Sequence, residues 1–120
     1  MTKGDRIGVV YLVDSNAKVV YFLGYGIYEG EEVPSEDAMG LCPAMREAGQ
    51  KNPKLTLDNG DVVWGGECWW DKESAMITDI DIYRERGYAI QDISIKPMRE
   101  WQAMVLAEEK KHESSNSPAG

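Results

Sequence analysis

Asn59 and Gly60 lie between two short apolar runs, "KLTL" and "DVVW", and an Asn-Gly pair in that setting is the strongest short-range hairpin signal. The chain is therefore expected to reverse there with both central residues at positive φ, which sets the flanking runs side by side as antiparallel strands. A second reversal lies upstream. Arg6 to Val13, "RIGVVYLV", and Lys18 to Gly24, "KVVYFLG", are rich in β-branched and aromatic residues, and the "DSNA" between them is made of turn formers. Beyond it, "GYGIYEG" brackets Tyr25 with two glycines, predicting a bulge or sharp bend and a third short strand from Tyr25 to Tyr28. A three-stranded meander is the expected start of the fold.

Helix signals come later. From Glu29 the chain is polar and punctuated by Pro and Gly, and within it "CPAMREAG" predicts a short helix with Pro43 at its first position and Gly49 as its stop. Gly65 and Gly66 interrupt the strand after the Asn-Gly turn, and "ECWW" is expected to resume it. Asp71 can cap a helix from Lys72 that places Met76, Ile77, Ile80 and Tyr83 on one face and stops at Gly87. Within it "TDIDIY" also alternates like a strand; the cap, the length and the glycine favour the helix. "YAIQDISI" predicts a strand, and Pro97 opens a helix with Met98, Trp101 and Val105 on one face and Leu106 beside them. That face must be buried, on its own domain or on a neighbour's.

Antiparallel hairpins first and helices later imply an α+β fold: a strongly bent antiparallel sheet, or a small SH3-like, partly open barrel, with two to three helices on one side or end. The 120 residues, 42% hydrophobic, suffice for one core. One domain over residues 1–112 and a mobile polar tail over 113–120 are expected. The start of the chain does not read as a signal peptide, and no apolar run is long enough to span a bilayer, so a cytoplasmic protein without membrane association is expected.

The net charge of -8 is concentrated. Glu29, Glu31, Glu32, Glu36 and Asp37 form one stretch without a base; Asp58, Asp61, Glu67 and Asp71 form another; without those nine, 12 acids face 13 Lys and Arg. Direct nucleic-acid binding is disfavoured, because neutralising phosphates takes clustered Lys and Arg. An acidic face suits a basic protein partner, although a run of charges is more often a solvated surface.

Few residue types here support catalysis. The single histidine, His112, stands next to the tail and is a poor general base. Cys42, ahead of Pro43 at a helix start, would gain acidity from the helix dipole and lose it to nearby acids and burial; an inert thiol is the expectation. Cys42 and Cys68 lie 26 positions apart without paired spacing, so neither a disulfide framework nor a zinc site is signalled. Asp79 and Asp81 would be neighbours only on a strand. The two glycines of "GYGIYEG" lack the further glycine or lysine of a phosphate cradle. No catalytic residue, metal site or cofactor is assigned, and no pair of carboxylates stands out for hydrolysis.

Three tryptophans crowd "VVWGGECWWDKE". On a strand, Cys68 and Trp70 share one face and Trp69 takes the other, so the three cannot serve one surface. Trp64 precedes the double glycine, and its face stays open. All three can supply core bulk to a chain with a single Phe. Alternatively one of them joins Tyr25 or Tyr28 in an aromatic surface rimmed by Glu67 and Asp71.

The succession "GDRIG", "VVYFLGYGIYEG" and "NPKLTLDNGDVVWGGECWW" resembles a group of small uncharacterised bacterial and bacteriophage proteins in which a glycine-tyrosine-glycine bend precedes a Trp- and Cys-containing strand. The resemblance spans residues 4–70 well and the following helix and strand loosely, and it brings no activity. It implies an accessory protein that binds a host factor or a small signal, in the host cytoplasm if phage-encoded. The expected function is a non-enzymatic interaction module that binds a macromolecular partner, or itself as a homo-oligomer, through Tyr25, Tyr28, Glu29, Glu31, Glu32, Trp64, Glu67, Trp69 and Asp71. The alternative is a small-molecule binding protein that stacks a nucleobase or sugar in a Trp/Tyr pocket.

Overall fold

The structure is a computed structural model that describes residues 1–115, with side chains through Lys111. Strands β1 (Arg6–Asp14) and β2 (Val19–Glu32) form the first hairpin. Asp14 holds its turn, with Oδ1 accepting the backbone N–H groups of Asn16 and Ala17 at 3.0 Å. No separate third strand follows. The expected break at the two glycines is a bulge inside one strand of 14 residues. The register slips at Leu23 and is restored at Tyr11 on β1, so β2 bends without ending.

This long strand organises the sheet. One edge pairs with β1 from Val19 to Ile27. Along the other edge, its first half pairs in parallel with β6 (Ala89–Asp92), and its second half pairs antiparallel with β3 (Asn52–Leu57). Gly26 is needed at that second contact: a Cβ there would overlap the Thr56 carbonyl oxygen and lie 2.6 Å from Leu57 Cα. β3 pairs with β4 (Val62–Trp64) across the Asn-Gly turn. The turn differs from the two-residue form expected. Leu57 N–H bonds the Asp61 carbonyl at 2.8 Å, and only Gly60, at φ 92°, is left-handed, so a three-residue loop sets the register.

"ECWW" does not resume β4. After a single 3-10 turn at Gly65–Glu67, β5 (Trp69–Lys72) pairs antiparallel with β1 at the far side of the sheet. The order is β4-β3-β2-β1-β5 with β6 against β2, and the sheet is open. The two end strands β4 and β5 are joined by one 3-10 turn, and the open sheet, antiparallel except where β6 joins β2 in parallel, belongs to an α+β fold.

Three helices complete the fold: α1 (Cys42–Glu47), α2 (Glu73–Glu85) and α3 (Ile95–Ser115). Pro43 opens α1 as expected. Asp71 does not cap α2. It belongs to β5, and Lys72 takes the N-cap position without a side-chain cap, because the strand feeds directly into the helix. "TDIDIY" is helical, with Met76 and Ile80 buried against Val10, Val20 and Phe22. The opposite face of the sheet buries Ile7, Val9, Leu55 and Leu57 under Ile95 of α3. α3 begins two residues before Pro97, where a proline still fits the first turn. It continues through Ser115, so residues 113–115 of the expected tail are helical and 116–120 lie outside the described residues.

A compact chain of this length has a radius of gyration of about 13–14 Å; here it is 16.5 Å, with extents of 57 × 35 × 19 Å. The 21-residue α3, about 30 Å long, is exposed at most described positions after Gln102.

Gly26→Ala is expected to cost about 2 kcal/mol or more, since the obstruction is β3 backbone rather than a movable side chain. Urea denaturation measures it, and a loss below about 0.5 kcal/mol would show that β3 can shift away.

Candidate functional site

The 3-10 turn delivers Glu67 into the protein. Its side chain is 1% exposed, and a buried carboxylate is costly unless its charge and lone pairs are met. Arg99, on the second turn of α3, meets it with two bonds, Nε to Oε2 at 2.9 Å and Nη2 to Oε1 at 2.6 Å. Backbone N–H groups of Met39 and Trp64 donate to the same two oxygens at 3.0 and 3.2 Å. Arg99 also donates to the Val62 carbonyl at 2.8 Å and to Asp37 at 3.2 Å. Burial works against the Arg99 charge, but the bonds to Glu67 outweigh it and raise its pKa. One ion pair thus joins the 33–41 connection, β4, the 3-10 turn and α3.

The nominated surface residues separate into several places. Tyr28 is 9% exposed and stacks on Trp70, ring centres 5.8 Å apart, on the face that α3 covers. Tyr25 lies on the other face, edge-on to Phe22 at 5.0 Å. Trp64 is 3% exposed, packed with Ala38 and Cys42, and its indole Nε1 has no acceptor. Trp64, Tyr28 and Glu67 therefore present no surface. Glu31 and Glu32 remain exposed at the end of β2 and Glu29 partly so, with Lys54 3.3 Å from Glu32. Trp69, 40% exposed, and the half-buried Asp71 lie on β5, away from those glutamates. Cys68 and Trp70 pack on the same core cluster while Trp69 does not, the alternation expected of a strand.

The acidic stretches are met by bases remote in sequence. Arg6 grips Asp58 through two bonds of 2.7 and 2.8 Å and reaches Glu73 at 2.8 Å; its guanidinium holds the Asp58 carboxyl below its usual range. Asp61 accepts the Ser94 hydroxyl at 3.2 Å.

Cys42 is fully buried, and burial, aided by the Glu67 charge, pushes its thiol up to about 11. Cys68 is raised as well, by burial and then by Glu67, and its Sγ donates to the Trp64 carbonyl at 3.2 Å. Among the described residues no three His, Cys, Asp or Glu side chains gather as metal ligands, and no helix is long and apolar enough to cross a membrane.

Exposed large apolar side chains occur on α2, at Ile77 and Ile82, on β5 at Trp69, and on and near α3. Trp101 is 55% exposed, Met104 59% and Leu106 44%, with Leu12 at 52% and Leu41 at 69% close by. Between α3 and the sheet lies a groove of about 400 Å³ lined chiefly by Tyr11, Leu12, Tyr21, Ile93, Met98 and Trp101. Trp101 also borders a smaller recess on its other side with Val105, Leu106 and Gly40. Of this surface the sequence pattern had marked only the α3 stripe. Leu12 and Leu41 carried no signal, since each is one apolar residue in an ordinary strand or loop. Arg99 did carry one, as a lone base beside the apolar stripe of "PMREW".

No family model, curated protein or solved structure matches the chain.

Removing one partner of the buried pair, by Glu67→Ala or Arg99→Ala, is expected to cost about 3–5 kcal/mol in urea denaturation, because the other charge is left buried and unpaired. Glu67→Leu with Arg99→Met should recover only part, as the Met39 and Trp64 amides lose their acceptor at about 1–3 kcal/mol each. Full recovery would show that the amides find other partners. Separately, iodoacetamide at neutral pH should alkylate Cys42 far more slowly than free cysteine until urea unfolds the chain, as followed by mass spectrometry. Native-state labelling at the free-cysteine rate would contradict the buried thiol.

Proposed function

We propose that this chain is a non-enzymatic interaction module that binds a macromolecular partner, or itself, through the apolar face displayed by α3. The observation that carries this is Trp101, 55% exposed, beside Leu12, 52% exposed, at the groove between α3 and the sheet, with Met104 and Leu106 exposed further along the same helix. Single exposed apolar residues are ordinary, whereas a contiguous patch with a large aromatic at its centre is the composition of a recognition surface. The buried, high-pKa thiol and the scattering of the carboxylates into structural pairs leave no arranged nucleophile and base among the described residues. The glutamates Glu29, Glu31 and Glu32 are then a charged flank rather than the contact itself. A cytoplasmic accessory protein, of the bacterial or bacteriophage kind that the sequence resembles, suits this role.

A second binding mode has its own support. Trp69 borders a cleft of about 310 Å³ with Tyr83, Ile82, Asp79 and Arg86, where a planar nucleobase or sugar could lie against the indole with a charge of either sign beside it.

Trp101→Glu should abolish recovery of bound proteins on the immobilised chain while leaving it folded, with a loss in thermal unfolding of no more than about 2 kcal/mol, because about half of the side chain is already in water. An unchanged set of bound proteins would reject the α3 face, and loss with Glu29, Glu31 and Glu32 reversed instead would return the contact to the acidic segment. For the cleft, a nucleotide and sugar panel should quench tryptophan fluorescence in the native chain and not in Trp69→Ala; no response to any member removes that mode.

A further inference from the structure

We infer that the cleft between Trp69 and α2 is a binding site for a guanine mononucleotide, with the base against the indole, its N1–H and N2–H edge on Asp79 and its phosphate on Arg86. This rests on the second binding mode, at Trp69, and names its ligand.

Two elements that follow one another in the chain build the cleft. Trp69 opens β5 and pairs with Val10 of β1, and residues directly opposite in a ladder share a face. Val10 belongs to the cluster buried under α2, so Trp69 stands on the α2 side of the sheet. β5 is an end strand, which leaves the indole 40% exposed at the margin. The chain then enters α2, where Asp79, Ile82, Tyr83 and, at the C-cap, Arg86 follow the i, i+3, i+4, i+7 spacing of one helix face. This stripe borders the one that buries Met76 and Ile80, and it closes a cleft of about 310 Å³ against Trp69. Ligand pockets run from about 300 to 1,000 Å³, so the space suits one base with its ribose phosphate rather than a dinucleotide.

The walls fix the shape of the ligand. Trp69 and Ile82, 40% and 37% exposed, offer apolar faces, and the half-buried Tyr83 is held edge-on to Tyr88 at 5.0 Å. A flat base lying between the indole and Ile82 has both of its faces on apolar surface. A sugar ring would set hydroxyls against Ile82, which can pair with none of them.

The polar groups fix which base. Among the described residues, neither Asp79 nor Arg86 joins an ion pair, although Asp79 is half-buried. A carboxylate accepts and a guanidinium donates, so the ligand brings donors to one end and an anion to the other. Guanine carries two adjacent donors, N1–H and N2–H, on its pairing edge. Adenine and cytosine set a donor beside an acceptor there, and uracil sets one donor between two acceptors. Asp79 and Arg86 are seven residues apart, about 10.5 Å along the helix, close to the span from that edge of guanine to a 5′-phosphate. Arg86 is the one basic residue among those lining the cleft, which suits a single phosphate.

Calorimetric titration of the full chain with guanosine, inosine and adenosine 5′-monophosphates tests the proposal. Inosine monophosphate, which lacks the N2 amine, should bind roughly tenfold more weakly than guanosine monophosphate, and adenosine monophosphate about a hundredfold more weakly. Asp79→Asn should lose most of the preference for guanine over adenine. Arg86→Gln should bind guanosine monophosphate no better than guanosine. Both variants should keep the native circular dichroism spectrum, since neither side chain is held in an ion pair. A response that needs Trp69 but is equal for adenosine monophosphate or a sugar overturns the guanine site and leaves the cleft standing as a binding site. A guanine preference that survives Asp79→Asn, or a phosphate contribution that survives Arg86→Gln, overturns it as well. No binding of any nucleotide or sugar, or binding unchanged in Trp69→Ala, removes the guanine site and the cleft together.

Discussion

The salt bridge between Glu67 and Arg99 is the contact on which the arrangement of the other parts depends. A carboxylate this deeply buried is tolerated only with its charge compensated and its oxygens occupied, and here a guanidinium and two backbone amides do both. The same guanidinium reaches the Val62 carbonyl and Asp37. The end of β4, the 3-10 turn that carries the chain toward β5, the connection before α1 and the first turns of α3 are thereby tied at one point. A hydrophobic contact could bury comparable area, but it would not select one orientation of α3 as a two-toothed ion pair does. The direction in which α3 leaves the domain, and with it the display of Trp101, follows from that pair.

The second organising constraint is the length of β2. A strand of 14 residues has more edge than one neighbour can fill, and it is shared between β6 and β3 on one side. The bulge at Leu23 lies where the two meet and lets the strand bend from one partner to the other. Its alternation sends Tyr25 and Tyr28 to opposite faces, one toward α2 and one toward α3. Both faces of the sheet are therefore filled with apolar side chains, and large apolar groups meet water on the later turns of α3, on α2 at Ile77 and Ile82, and at the strand and loop positions Leu12, Leu41 and Trp69.

Charge follows the same logic. Acids that stand in runs along the chain, Asp58 and Glu67 among them, are met by Arg6 and Arg99 from distant positions. The acidic stretch of the sequence becomes partly a set of clamps, with Asp58 and Glu67 committed to arginines of the same chain.

Local chemistry was sufficient for part of this architecture. The Asn-Gly reversal, the hairpin around "DSNA", the proline-opened α1, the helix from the 73–85 spacing and the opposite faces of Trp69 and Trp70 all depend on φ preferences and on periods of 2 and 3.6 within a few residues, and these can be read from the sequence alone. Which strand each run joins could not be read, because pairing is decided by contacts between residues far apart. "ECWW" has the same alternation whether it extends β4 or crosses to β1, and "GYG" is compatible with a break or a bulge. Glu67 looked like a surface acid because its partner lies 32 positions away on a helix whose docking only the folded chain decides. The sequence by itself determined the first hairpin, the reversal at Asn59 and Gly60, the three helices, the α+β class and the apolar stripe of α3. Tertiary structure alone decided which tryptophans are buried, which acids are clamps and where that stripe is exposed, since burial and charge compensation are properties of what packs against a residue and not of its neighbours in the chain.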